Sequence, residues 1–377
     1  MTDPRTTALF TRHEALDASF TDFGGWLMPV RYSSDLAEHH AVRTAAGLFD
    51  ISHMAEFLVE GPEAGAFLDY ALAGRLSAMT DDQAKYSLVL DADGGIVDDV
   101  IVYRHNPERL MVVANAGNRA AVAAAFAERA QSFDVDIDDA TDHIALVAVQ
   151  GPASQAILEA TAGIVDLSAP LDDLKYYRMA HARFAAPGEE PVPMHVGRTG
   201  YTGEDGFELY IRASSAPALW DALLAAGEPL GLVPAGLAAR DTLRLEAGMP
   251  LYGHELSRDI VPAQAGLGRV VAVGKDDFVG KAALAAVVTP DAPVLVGLVS
   301  EGRRAGRAGY AVFDGTDADT PVGEITSGAL SPTLGHPIAM AFVSPAASAP
   351  GTPLFIDVRG TRIPATVTDL PFYRRNK

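Results

Sequence analysis

A chain of 377 residues has room for two or three domains and a substantial core. Its net charge of −20 argues against nucleic acid or an anionic membrane surface as partner, and its zero cysteines exclude a disulfide framework, a thiol nucleophile and any thiolate metal site. Neither a signal-peptide h-region nor a run of ~20 apolar residues occurs, so a soluble cytoplasmic protein is expected.

Residues 35–46, DLAEHHAVRTAA, predict a helix opened by an Asp35/Glu38 capping-box pairing and closed on Gly47. One strand is expected over 48–59, running through DISHM. His53 and Met54 there, and the adjacent His39 and His40 on different helix faces, lack metal-ligand spacing, so no metal site is expected. Pro62 takes a first-turn position in a short helix to 73. Apolar runs at 86–90 and 96–103 flank Asp91-Ala92-Asp93-Gly94-Gly95, a β-hairpin pattern. On its second strand, Asp98 and Asp99 fall on opposite faces, and only one can point inward. A strand at 110–114 and an alanine-rich helix at 118–130 follow.

At residue 149 the pattern restarts. VQGP and its helix repeat the VEGP at 59–62 and its helix, with Ile157-Leu158 matching Phe67-Leu68. Gly61 and Gly151 are 90 residues apart, far beyond the ~20–50 of solenoid repeats. The expectation is a duplicated α+β half, each sending a hairpin strand with an acidic residue, Asp99 or Glu208, toward a shared centre.

Residues 198–209, RTGYTGEDGFEL, set Gly200, Gly203 and Gly206 among Tyr201, Glu204 and Asp205, so the backbone turns sharply between two short strands. Glu208 lies between Phe207 and Leu209. It is either an exposed hairpin carboxylate or a buried one kept for a partner. A planar pair of N–H donors, as on a pterin edge, would suit it. Residues 234–249 predict a helix with Arg240 and Arg244 on one face, a pattern commoner on solvated surfaces than in sites. Beyond Lys275, short apolar runs broken by Gly and Pro predict a separate all-β domain, sandwich or barrel-like. No Walker loop, dinucleotide fingerprint or G-x-S-x-G elbow occurs. The remaining inward polar groups suit positioning a neutral, ring-containing ligand better than covalent catalysis.

Six blocks resemble, in order, the glycine cleavage T-protein family of tetrahydrofolate-dependent aminomethyltransferases: FGGWLMPVRY at 23–32, GLFDISHM at 47–54, GGIVDDVIVY at 94–103, RTGYTGEDGFEL at 198–209, GLAARDTLRLEAGMPLYGHEL at 236–256 and VGEITSGALSPTLGHPIAMAFV at 322–343. The resemblance runs nearly end to end. It implies an α+β fold of three domains around a central folate site: related α+β halves at 1–140 and 141–274, and a C-terminal all-β domain, barrel or jelly-roll-like, at 275–377. It implies transfer of an aminomethyl group from the dihydrolipoyl arm of lipoylated H-protein, in a system shared with P-protein and L-protein, to tetrahydrofolate as co-substrate, without a metal. The products would be 5,10-methylenetetrahydrofolate, ammonia and reduced lipoyl.

By the same resemblance, Asp99 stands at the family's key acidic position beside N5 and N10 of the folate. Glu208 matches the carboxylate on the pterin edge, Tyr86 and Tyr201 ring-contacting aromatics, Met54 an apolar contact and Arg240 an arginine of the folate site. Asn115 matches a folate contact in VVANAG, where members differ in length by one residue. Arg269 departs from the Trp of many members. An Asp99 of ordinary pKa, ionised at neutral pH, would suffice for the role. Arg303-Arg304-Ala305-Gly306-Arg307 and Arg374-Arg375 are candidate basic surfaces for an acidic H-protein, with simple solvated charges as the alternative for each. The alternative functions within the fold are a tetrahydrofolate-dependent demethylase and a non-catalytic folate-binding iron–sulfur assembly factor, whose signature includes a cysteine absent here.

Overall fold

The hairpin pattern around Asp91 to Gly95 forms as Gln83–Leu90 paired with Ile96–Asn106, at one edge of a five-stranded sheet. Arg109–Ala114, Ala55–Glu60 and Asp136–Asp139 complete that sheet in order. These assignments come from a computed structural model that describes residues 4–286 and 291–375. The helices Ala64–Ala71 and Arg119–Arg129 cover the sheet's outer face, burying Phe57, Phe67, Val112 and Phe126.

A second sheet repeats this plan. Its strands run Ile164–Val165, Met179–Phe184, Val192–Gly197, Gly206–Arg212, Ile144–Gln150, Ala46–Asp50 and Leu232–Pro234. Here Ser154–Ala160 and Ala216–Gly227 supply the outer helices over Phe207, Leu209 and Trp220. The duplicated VEGP and VQGP turns match in detail, because Gly61 and Gly151 hold φ of 136° and 134°, a conformation that only glycine adopts readily. The inner faces of the two sheets meet in a central layer containing Phe49, Tyr103, Met111, Leu146 and Tyr210, closed on one side by Leu243 of the helix Leu237–Glu246.

Several local expectations are corrected. The strand expected over 48–59 is two strands in different sheets: Ala46–Asp50 pairs with Ile144–Gln150, and Ala55–Glu60 pairs with Arg109–Ala114. The turn at 51–54 carries the chain from one sheet to the other. In consequence the strand Ala46–Asp50, expected within a half spanning 1–140, completes the sheet of the second half, while Ser19–Phe23 and Trp26–Arg31 form a two-stranded sheet of their own. The helix Asp35–Thr44 is capped by the Ser34 hydroxyl, which accepts from the Ala37 amide. Glu38 leaves the capping role and instead accepts the backbone N–H groups of Tyr32, Ser33 and Gly236.

The last domain is a closed six-stranded barrel in the order Val294–Ser300, Pro337–Val343, Gly323–Leu330, Ala311–Phe313, Pro353–Val358 and Thr361–Thr368. Between the second sheet and the barrel, residues 251–286 fold back onto the first half. There Leu256, Val271 and Phe278 pack on Leu88, Leu90 and Ile96. Lys275, at the expected start of the last domain, is buried, with its ammonium donating to the Asp69, Leu72 and Gly74 carbonyls.

Candidate functional site in the central layer

Strand alternation decides which polar groups enter the layer. On Ile96–Asn106, Val100 and Val102 point into the outer core and Tyr103 into the central layer, so Asp99 faces the centre and Asp98 the outer helices. On Gly206–Arg212, Phe207 and Leu209 point outward and Tyr210 inward, so Glu208 also faces the centre. The two halves thus each contribute one carboxylate to a shared layer.

Glu208 is 7% exposed. Its Oε2 accepts the Tyr103 hydroxyl at 3.1 Å and the Thr199 hydroxyl at 2.5 Å. The glycines upstream are required by packing. A Cβ on Gly200 or Gly206 would stand 2.0 or 2.4 Å from the Gln150 amide, and Gly203 holds φ of 79°. Gln150 in turn donates to the Thr199 carbonyl and accepts from Thr202, which fixes the loop. Arg198 forks onto Asp205 with bonds of 3.0 and 2.5 Å, closing the same turn.

Asp99 accepts the Tyr86 hydroxyl at 3.1 Å on Oδ2 and the Asn115 side-chain amide at 2.8 Å on Oδ1. That amide also donates to Asp98 at 2.8 Å, and Asp98 further accepts the Asn115 backbone N–H and the Asn118 amide. Asp98 is fully buried and Asp99 partly so, and Asn115 joins the two although they keep the opposite faces that the alternation requires. Burial pushes the Asp99 carboxyl up to about 6 against the opposing hydrogen bonds of Tyr86 and Asn115. Burial and the Asp99 charge push Asp98 up to about 7. An ordinary aspartate pKa, expected for Asp99, is thus replaced by one within reach of neutrality.

Arg240 and Arg244, which fit a solvated face by spacing, are both interior. The Arg240 guanidinium stacks 4.7 Å from the Tyr201 ring centroid, and its Nη1 is buried with no hydrogen-bond partner among the described residues. His53 Nδ1 is in the same condition; burial and the Arg240 charge hold that ring down at about 4. Tyr201 donates to the Pro250 carbonyl, and Met54 packs against the central cluster. Arg244 ties the helix to the barrel through Ser327 and to the following segment through Glu255, with Asp241 one turn back on its own helix. Sequence reasoning missed Tyr103, Thr199 and Asn118, which hold the two carboxylates. It also missed Arg43, whose guanidinium bridges Glu246 at 2.7 Å and Glu204 at 3.0 Å and so pins the glycine loop to the helix.

Residues 9–275 match the model of the GCVT N-terminal domain, and residues 294–374 that of the glycine cleavage T-protein C-terminal barrel domain. The chain belongs to the glycine cleavage T-protein family. Over the full length of both chains it is 55% identical to an aminomethyltransferase of Cutibacterium acnes and 51% identical to one of Saccharopolyspora erythraea. The crystal structure of glycine cleavage system aminomethyltransferase T from Bartonella henselae superposes with a TM-score of 0.88 at 36% identity, covering 99% of each chain. Membership makes the chain an aminomethyltransferase of the glycine cleavage type, and the barrel at its end is the family's barrel. No helix among the described residues is long and apolar enough to cross a membrane.

Proposed function

We propose that the central layer binds the pterin of tetrahydrofolate and that the chain moves to it the aminomethyl group borne by the dihydrolipoyl arm of H-protein. The observation that carries this reading is the convergence of Asp99 and Glu208, one from each half, on a single layer with Tyr86, Tyr201, Met54 and Arg240. Two buried polar atoms without protein partners, Arg240 Nη1 and His53 Nδ1, fit a site made for a polar ring system, since orphaned polar atoms are costly unless a ligand meets them. Tetrahydrofolate supplies N5 and N10: each forms a bond to the transferred carbon and gives up one hydrogen, one ending on the dihydrolipoyl sulfur and one on departing ammonia, as the arm's C–S and C–N bonds break.

Each residue then has a separate task. Glu208, anchored on Oε2 by Tyr103 and Thr199, presents a carboxylate of fixed plane to a planar N–H edge. Asp99, held by Tyr86 and Asn115, places negative charge where positive charge develops on carbon and nitrogen. With its pKa near 6, it can also take up and return a proton close to neutral pH. Arg240 and Tyr201 form one stacked wall that excludes water from the reacting groups.

For a chain of net charge −20, docking of an acidic carrier requires a local basic surface. A barrel-domain pocket lined by Arg304, Arg307 and Arg359 offers one. At the other candidate, Arg375 is already engaged with Asp205 at 3.3 Å. Ammonia and methylenetetrahydrofolate are to be measured with aminomethylated H-protein, with and without tetrahydrofolate. Stoichiometric formation of both only when tetrahydrofolate is present is expected; tetrahydrofolate-independent turnover, or none, would overturn the reading.

A further inference from the structure

A second polar cluster lies away from the two carboxylates. His105 is six residues beyond Asp99 on the same strand, about 20 Å along it at the usual strand rise. His181 and His195 come from the second sheet, directly paired across Met179–Phe184 and Val192–Gly197. One ring nitrogen from each of the three histidines lies within 4.8 Å of the other two. The Nδ1 atoms of His181 and His195 are 3.0 Å apart, and the His105 and His195 ring centroids 4.5 Å apart. On its far side, His181 Nε2 meets Asp82 Oδ1 at 2.9 Å.

We propose that His105, His181 and His195 form a binding site for a divalent transition metal of zinc type, which staples the two α+β halves together at the rim of the central layer. Two imidazole nitrogens on a tetrahedral zinc, each about 2.0–2.1 Å from it, are separated by about 3.3 Å; the His181–His195 pair stands at 3.0 Å, and His105, within 4.8 Å of both, closes in on the ion by a small side-chain rotation. The Asp82 contact supplies the outer carboxylate that commonly orients a metal-bound imidazole and fixes which nitrogen faces the ion. The His181 side chain is 42% exposed, which gives the ion an entry path and leaves a position for water or an exogenous ligand.

The placement also says what such an ion would do. Beside the cluster, the halves touch edge to edge through an isolated bridge between Gln83 and Arg178, with hydrogen bonds from the Ala84 amide to the Tyr177 carbonyl and from the Met179 amide to the Asp82 carbonyl. Ligands from both sides of this seam make the ion a cross-link that favours the folded state by mass action. Spacing along the chain hides the set, because the three histidines lie on three strands and only sheet pairing unites them.

The test uses the full-length, tag-free chain stripped with EDTA and titrated first with Co²⁺ and then with Zn²⁺. The expected result is one Co²⁺ per chain with the visible absorption of a nitrogen-ligated tetrahedral site, displacement by Zn²⁺, and a Tm that rises with metal concentration. His105→Gln and His195→Asn, each verified as folded by circular dichroism, should abolish uptake. Asp82→Asn should weaken it about 10–100-fold, and His40→Gln should leave it unchanged. Uptake below one equivalent by the native chain, or uptake that survives both histidine substitutions, overturns the proposal and leaves a hydrogen-bonded histidine cluster.

Discussion

Replacing Asp99 by Asn should slow the enzyme while making it more stable, a combination that a merely structural residue would not give. The substitution keeps the side-chain shape: the new amide oxygen can still accept from Asn115, and the Tyr86 hydroxyl can rotate to accept from the new amide nitrogen. What is lost is a charge that burial disfavours. A rise from the ordinary 3.8 to about 6 means that the ionised carboxylate costs the folded state about 3 kcal/mol, at about 1.4 kcal/mol for each tenfold in proton affinity. Because the folded pKa is the higher one, this cost is absent below pH 3.8, grows between 3.8 and 6, and is constant above. The variant's Tm should accordingly exceed that of the parent by several degrees at pH 7.5, with the difference vanishing toward pH 4. Turnover should fall by ~10²–10⁴, the loss typical of one electrostatic or acid–base group, with tetrahydrofolate affinity little changed. Thermal melts across pH and single-turnover assays on the same preparations decide it. Unchanged turnover, or a lowered Tm at neutral pH, would refute the reasoning.

Glu208→Gln should raise the tetrahydrofolate dissociation constant about 30- to 1,000-fold, equivalent to about 2–4 kcal/mol, because an acceptor facing a donor edge becomes a donor; an unchanged constant in calorimetric titration removes the pterin assignment. Asp98→Asn should slow turnover less than Asp99→Asn, since Asp98 faces the outer helices and is held by Asn115 and Asn118; the reverse order of the two kinetic effects would mean that the roles are exchanged. Arg43→Met should cost about 3–5 kcal/mol, since it strips a partner from buried Glu246 and Glu204; a loss below 1 kcal/mol would show the bridge to be dispensable. Burial works against ionisation of Glu246, but its hydrogen bonds with His39, Ser331 and Thr333 prevail and hold it at about 2, so its contribution is full above pH 4.5 and is lost as pH falls from 4.5 to 2. Arg304→Glu together with Arg359→Glu should raise the apparent KM for H-protein with kcat unchanged, and a KM that does not move excludes the barrel pocket from docking.

How much of this could be read beforehand depended on how local the cause was. The hairpin around Asp91 to Gly95 and the turn built on Gly200, Gly203 and Gly206 were legible because turn chemistry sits in adjacent residues. The facing of Asp99 and Glu208 followed from a period of two along one strand. By contrast, nothing in DISHM signals that Ala46–Asp50 and Ala55–Glu60 belong to different sheets, since both segments have strand composition and the break is a matter of which partner each finds. Arg240 and Arg244 show the same limit: i, i+4 spacing gives a shared face but not what that face meets, and here it meets Tyr201 and the barrel. The bridge between Asp98 and Asp99 needed Asn115, and the burial of Asp98 needed Asn118 as well, both contributed from beyond the neighbouring strand.

The exchange of the opening segment has a consequence for synthesis. Residues 55–140 form a sheet from contiguous chain and can pair as they leave the ribosome. The strand Ala46–Asp50, made earlier, has no partner until Ile144–Gln150 emerges, and its other edge waits for Leu232–Pro234. At about 5–20 residues per second, that apolar strand stays unpaired for on the order of ten seconds or more on a nascent chain. An N-terminal fragment ending near residue 140 would carry an orphan strand with exposed edges, the kind of segment that recruits neighbouring chains. Nascent-chain chaperones are therefore expected to hold this protein at its beginning, long after the beginning has been made.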